Sequence, residues 1–247
     1  WKNSIIVNIV VIGSGNVGSH LSRLFAAAGH QIRQVWSRDV RHASDVAEAV
    51  GAVPLCRFAD IDRTADIYII AVPDDHIAGV SLQLPVLDGI VVHTSGSTDI
   101  SALCQRRRGV MWFPHSFVKD VPMDCKPLHC CYEGSSSDVE EAMKNLLGGV
   151  AVAYRLDGEQ RRWAHLASVL TNNFGNALNA LAEQICMTQG IDFAMLQPLI
   201  ASTAASAAAG GIAARQTGPA ARHDQKTIDT QLSMLAGIPA AQRVYEQ

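Results

Sequence analysis

The chain has 247 residues, 48% of them hydrophobic and 17% charged, with a formal net charge of -3. That length suits one large domain or two modest ones, and the apolar share supplies a sizeable core. The charge balance excludes a broad basic field for nucleic acid or anionic lipid, and no apolar run is long enough to span a bilayer.

Taken in chain order, residues 5–12, IIVNIVVI, are apolar and rich in β-branched side chains, which predicts a buried parallel strand. A glycine loop follows, then a helix from about Asn16 to Ala28 closed by Gly29. QIRQVWS is the second strand, and VRHASDVAEAV the next helix, ended by Gly51. ADIYIIAV (65–72) and DGIVVHTS (88–95) are two more buried strands, and GVMWFPH (109–115) another. Arg106, Arg107 and Arg108, the only basic run, read as the polar end of a helix stopping at Gly109, where cations suit the helix dipole. KPLHCCYEG and GVAVAYRL bracket a helix that begins near Ser137 and Asp138.

This alternation implies an α/β class fold with a doubly wound parallel sheet. After Asp157 the sequence turns alanine-rich and helical, so the expected domains are 1–156, which carries the sheet, and 157–247, which is all-α. The small side chains of 201–215, ASTAASAAAGGIAAR, suit close helix packing within the chain or across a homodimer. The six cysteines (Cys56, Cys104, Cys125, Cys130, Cys131 and Cys186) form no CxxC pair. They read as reduced thiols of a cytoplasmic protein, with no metal site expected. In a strand, Cys130 and Cys131 point to opposite faces.

GSGNVG (Gly13, Ser14, Gly15, Asn16, Val17, Gly18) is a complete GxGxxG that follows a buried strand directly and opens a helix. Gly13 permits the tight turn, Gly15 lets the backbone approach a pyrophosphate, and Gly18 lets helix and strand pack closely. The helix N-terminus then offers free N–H groups to the phosphates. The alternatives are a glycine turn without a ligand and a methyltransferase-type adenosyl site.

About twenty residues further on, where NAD-binding folds carry an acid for the ribose, the sequence reads Trp36-Ser37-Arg38. A hydroxyl and a guanidinium suit a 2′-phosphate, and Arg41 lies near enough to add charge. NADP is therefore favoured over NAD. Asp39 favours NAD if the strand ends later than expected, and Arg38 has the plainer reading of a solvent-facing residue before a helix.

Ligands in such sheets lie beyond the C-terminal strand ends. Val72 and Pro73 are expected along the coenzyme track, with Asp74 or Asp75 as a helix cap. Thr94, Ser95 and the Gly96 N–H would face nicotinamide or substrate, while Ser97 or Thr98 caps the next helix. His115 and Ser116 end the following strand, with His115 either a proton donor or a packed histidine. At 100° per residue, His165, Val169, Asn172, Asn176 and Glu183 share one face of a long helix. Asparagine is a poor helix former, so Asn172, Asn173, Asn176 and Asn179 suggest hydrogen-bonding work in a cleft or interface. In QTGPAARHDQKTI (216–228), Asp224 with Thr227 suits the start of the final helix, and Arg222 is placed to meet an anionic substrate or the coenzyme phosphates.

VIGSGNVGSHL, AVPDDHI, HTSGS, HLASVLTNNF and QTGPAARHDQKTI together resemble the Rossmann-like oxidoreductases whose C-terminal half is a helical domain of unknown function. Wider relatives are pyrroline-5-carboxylate reductase, ketopantoate reductase, the 3-hydroxyisobutyrate and 6-phosphogluconate dehydrogenases, and the deazaflavin-dependent NADP reductases. The resemblance implies an NADP-type Rossmann domain, an all-α domain like that of 6-phosphogluconate dehydrogenase that often forms a dimer, and catalysis in the cleft between them. It also implies a lysine about one helical turn before an Asn-Asn pair. Here Asn172-Asn173 matches the pair, but no lysine occurs from 145 to 225.

The implied activity is hydride transfer between NADP and a small carbonyl, imine or hydroxy substrate. Ser95, Asn172 and Asn173 would orient the substrate, and His165 or His115 would move the proton, a duty that suits histidine near neutral pH. The other readings are a non-catalytic NADP-binding sensor or scaffold, and deazaflavin-linked hydride exchange.

Overall fold

Ile9, Val10, Val11 and Ile12 are wholly shielded from solvent in β1 (Asn8–Ile12), so both faces of this strand are covered and its sequence shows no polar alternation. The computed structural model describes residues 6–118, 121, 127–215 and 217–246. The chain forms two units, Trp1–Ser168 and Val169–Gln247.

The first unit is an eight-stranded sheet in the order β3-β2-β1-β4-β5-β6-β7-β8. β1 pairs in parallel with β2 (Gln31–Trp36) on one side and with β4 (Ile67–Ile70) on the other. The chain reverses its winding here, which makes the ends of β1 and β4 the switch point where α/β sheets bind ligands. β5 (Ile90–His93) and β6 (Arg108–Trp112) continue the parallel run, and β3 (Val53–Leu55) edges it beside β2.

α1 (Asn16–Ala27) and α2 (Val40–Val50) end at Gly29 and Gly51, whose φ of +89° and +67° suit glycine and stop a helix. Side chains alternate across the sheet. Ile9 and Val11 meet Leu21, Phe25 and Val46 on one face, while Val10, Ile12, Tyr68 and Ile70 meet Ile77 and Val80 of α3 (Asp74–Gln83) on the other. The same alternation sends Cys130 of β7 (Leu128–Gly134) into the first core and Cys131 against Val110 and Trp112. Cys125 lies outside the described residues, and the other five cysteines are free thiols.

Two sequence expectations are corrected here, and one strand was not foreseen. No helix runs into Arg106–Arg108: the helical turn there is Ile100–Ala102, and Arg108 already opens β6, so the basic run joins turn to strand. β7 runs antiparallel to β6, then pairs in parallel with β8 (Ala151–Arg155) across α4 (Ser137–Leu147). The sheet is therefore mostly, not wholly, parallel. Edge strand β3 was not expected, because its three residues give no readable period.

α5 (Gly158–Ser168) closes the first unit, and the second is helical. Val169–Phe174 is a π-helical turn, followed by α6 (Gly175–Thr188), α7 (Gln197–Ala208), α8 (Gln225–Met234) and α9 (Pro239–Tyr245). Asp224 caps α8 by accepting the Thr227 N–H and hydroxyl, but α9 follows, so α8 is not the last helix. Among the described residues of this unit only Cys186 and Ala241 are buried, while Leu170, Phe174, Met187, Met195 and Leu199 are exposed. No helix among the described residues is long and apolar enough to cross a membrane.

Candidate active site

A cavity of about 620 Å³ opens at the switch point, lined by the glycine loop, the end of β2, the β4–α3 turn and one side of α3. Its loop owes its shape to glycine. Gly13 has φ +117°, and a Cβ there would stand 2.2 Å from the Ala71 carbonyl oxygen. A Cβ on Gly18 would stand 1.8 Å from the Gly13 carbonyl oxygen, so α1 can cross β1 this closely only with glycine. Around Gly15 a Cβ would meet nothing within 4 Å. Gly15 thus faces open space at the N-terminus of α1, whose first turn has no acidic residue and no side-chain cap. Its N–H groups are left for an anion.

Gly13, Ser14, Gly15, Ser37, Arg38, Val72 and Pro73 all line this cavity. Asn16, Val17, Gly18 and Thr94 do not; Asn16 and Val17 begin α1, and the Thr94 N–H ties back to the Ile70 carbonyl. Asp39 is the N-cap of α2. It accepts the Arg41 backbone N–H at 3.0 Å and pairs with the Arg41 guanidinium at 2.6 Å. Hydrogen bonds from the Arg41 side chain, then its backbone, hold the Asp39 carboxyl down to about 2. Neither Asp39 nor Arg41 lines the cavity, where Arg38 and His42 do.

Trp36 stacks on Phe58 at 4.2 Å and 13°, forming an apolar wall that sequence reasoning missed. Trp36 ends the second strand, but nothing local announced Phe58. His42, Ala71, Asp75, His76, Gly79, Val80 and Gln83 complete the lining.

At the end of β5 the expected roles change. Neither Asp74 nor Asp75 caps α3, because Pro73 occupies the cap position and both acids lie in the first turn. The Asp74 carboxylate instead accepts the hydroxyls of Ser95 and Ser97, each at 2.7 Å. Ser95 Oγ also accepts the N–H groups of Ser97 and Thr98. One donated and two accepted bonds saturate that buried hydroxyl, so Ser95 fastens the loop and has no capacity left for a substrate. Asp99, not Ser97 or Thr98, caps the following turn.

Beneath this loop, His93 is fully buried and its Nδ1 accepts the Ser95 N–H. Burial, then the Arg161 charge, pushes its imidazole down to about 4. Arg161 is also buried. It donates to the Glu133 carboxylate on β7 and, at 2.7 Å, to the Thr98 carbonyl, pinning α5 to both sheet and loop. Sequence reasoning missed Arg161, although it precedes His165 by four residues and so shares its helix face.

His165 of α5 packs edge-on to Trp112 at 5.5 Å. A Cβ on Gly96 would meet the His165 ring at 2.5 Å, so the imidazole rests directly on the loop after β5. His115 packs edge-on to Phe117 at 5.0 Å, half-buried, and Ser116 beside it is exposed. Asn172 and Asn173 lie in the π turn and Asn176 at the start of α6. The π turn spends extra residues per turn, so the face projected at 100° per residue from His165 through Asn176 is broken there. Arg222 is exposed in the turn before α8. No group of three or more His, Cys, Asp or Glu suited to a metal ion occurs among the described residues.

Residues 8–94 match the family described as coenzyme F420-dependent NADP oxidoreductase, and residues 128–247 match a domain of unknown function, DUF2520. No curated protein matches the chain. Among solved structures, a candidate NADP oxidoreductase from Bacteroides fragilis is 31% identical with a TM-score of 0.87, covering 98% of this chain and 95% of that one. A reductive aminase from Aspergillus terreus, solved with NADPH, is 16% identical with a TM-score of 0.66, covering 98% and 88%. A pyrroline-5-carboxylate reductase from Coxiella burnetii is 16% identical with a TM-score of 0.59, covering 97% of each chain. These last two are likenesses of fold.

Proposed function

The chain belongs to the NADP oxidoreductase family that joins an F420-dependent-type nucleotide-binding region to the domain of unknown function DUF2520, and from that premise we propose that it is an NADP-dependent oxidoreductase of a small carbonyl, imine or hydroxy substrate. The observation that carries this reading is the charge at the end of β2. Arg38 and Ser37 line the cavity there, and the acid next in the chain, Asp39, is tied to Arg41 and lies outside the lining.

The residues fit the coenzyme. Open space at Gly15 and the uncapped start of α1 accept the pyrophosphate. Arg38 pairs with the 2′-phosphate and Ser37 donates its hydroxyl to it. Val72 and Pro73 wall the coenzyme track, and Thr94 and the Gly96 N–H would face the nicotinamide. When bound, NADPH supplies the hydride. His165, seated on Gly96, gives a proton to the substrate oxygen or nitrogen in the reductive direction and takes it back in the other. Ser95, through Asp74, holds the loop rather than the substrate. Asn172 and Asn173 orient the substrate, with Asn176, Ser116 and Arg222 as further contacts and His115 as the alternative proton donor. The π turn that carries the asparagine pair supports this role, because such turns are frequent at functional sites.

The helical unit supports a homodimer. With Cys186 and Ala241 its only buried residues among those described, and Leu170, Phe174, Met195 and Leu199 exposed, it would be completed by a second copy that presents the same apolar helices. The free thiols support a cytoplasmic setting.

Two observations favour other readings. The absence of lysine from 145 to 225 favours a sensor or scaffold that binds NADP without turnover. The family matched over 8–94 favours exchange with a deazaflavin. Oxidation of NADPH followed at 340 nm across a panel of carbonyls, imines and a deazaflavin coenzyme decides among the three. Turnover with a carbonyl or imine supports the proposal, turnover with the deazaflavin alone supports the third reading, and binding without turnover supports the second.

A further inference from the structure

The helical unit contains a cavity of its own, of about 320 Å³. Ser202, Thr203, Ser206 and Ala207 line it from α7, Ile212 and Arg215 from the turn Ile212–Arg215, and Thr217 closes it. The spacing of the first four puts them on one helical face. Hydroxyl groups and one guanidinium therefore converge on a small space that no carboxylate lines. The charge bias extends along the chain. From Phe193 to His223 there is no Asp or Glu, but there are Arg215 and Arg222.

Arg215 is held in place. Its Nη1 donates to the Ser206 carbonyl at 3.0 Å and to the Ser206 hydroxyl at 3.1 Å. Nε and Nη2 have no partner among the described residues. A guanidinium fixed at one nitrogen, with the rest of its planar fork available, is set up for a carboxylate or phosphate at little further ordering cost. Ser202 already donates to the Leu199 carbonyl, while Ser206 Oγ only accepts, so the hydroxyls of Thr203, Ser206 and Thr217 are the donors left to complete the shell.

We propose that this cavity binds the oxyanion of a small molecule, a carboxylate or a phosphate, with Arg215 as its anchor and Thr203, Ser206 and Thr217 as supporting donors. The site stands without the coenzyme reading.

Isothermal titration of the full chain with inorganic phosphate and, separately, with butyrate tests the site at low ionic strength. Arg215→Ala and Thr203→Val are compared with the unaltered chain, and NADP is titrated into all three. The expected result is saturable binding of at least one anion, weakened about tenfold or more in Arg215→Ala, with NADP affinity unchanged. The anion that saturates identifies the source. No saturable binding of either anion, or equal binding in Arg215→Ala, overturns the proposal. If Arg215→Ala loses its helical circular dichroism, Thr203→Val decides, and unchanged anion affinity there overturns the site. Failure of the unaltered chain to bind NADP sinks the coenzyme reading but leaves the anion result standing.

Discussion

Asp39 and Arg41 are clasped at the start of α2, with Arg41 Nη2 2.6 Å from Asp39 Oδ2 and both Arg41 Nε and its backbone N–H donating to Oδ1. The pair has a consequence two residues earlier. A carboxylate that caps a helix and neutralises its own arginine is not presented to a ribose. Arg38 lines the cavity and has no ion-pair partner among the described residues. At the end of β2 the charged side chain that faces the cavity is therefore the Arg38 guanidinium, while the Asp75 carboxylate lines it from α3.

Gly15 and Gly18 separate binding from folding. Gly15→Ala places a methyl in open space at φ -74°, which any residue adopts, so its thermal midpoint should match that of the unaltered chain while NADP affinity falls. Gly18→Ala drives a methyl into the Gly13 carbonyl, and overpacking of this kind costs about 1–3 kcal/mol. Thermal and chemical denaturation, with NADP titration of the two variants, check this. A destabilised Gly15→Ala with normal affinity would contradict it.

His165→Ala should lower the turnover number by about 10²–10⁴-fold, the range for loss of a general acid, with NADP affinity unchanged. The measurement is steady-state NADPH oxidation with the best substrate of the panel. Unaltered turnover removes His165 from the mechanism and returns the proton to His115.

Arg161→Ala leaves Glu133 without its buried partner and should destabilise the sheet unit by about 3–5 kcal/mol. Replacing both residues, as Arg161→Met with Glu133→Leu, should recover most of that loss. Urea unfolding of the three chains reads this out, and equal losses in the single and double variants would show that the ion pair is not the cause.

His93 predicts an acid sensitivity. Its imidazole, pushed down to about 4 in the fold, regains its ordinary value of 6.5 on unfolding, so between these values the unfolded chain binds the extra proton. Stability from this group is therefore whole above pH 6.5 and is lost as pH falls toward 4, by about 3 kcal/mol in all. His93→Gln should flatten that part of the stability profile. The same slope in the variant would assign the sensitivity to another group.

What the sequence disclosed follows the range of the interactions. The glycine loop, the buried strands and the stops at Gly29 and Gly51 are local, and each is written in a few adjacent residues. The Asp39 cap is just as local, because Asp is a preferred N-cap residue, but sequence reasoning weighs Asp39 only as a ribose-binding acid. By contrast, Trp36 meets Phe58 across an irregular loop, and Arg161 reaches Glu133 and Thr98 from distant elements. No periodicity reports such partners. The π turn at Val169–Phe174 escaped for a different reason, because a fixed rotation per residue assumes the regularity that this segment breaks.

Side-by-side calorimetric titration with NADP and NAD tests the central claim most directly. The account predicts NADP binding tighter by about tenfold to a hundredfold, the worth of hydrogen bonds to a charged group, with most of that difference lost in Arg38→Ala. NAD binding as tightly as NADP, or a preference that survives Arg38→Ala, would contradict it.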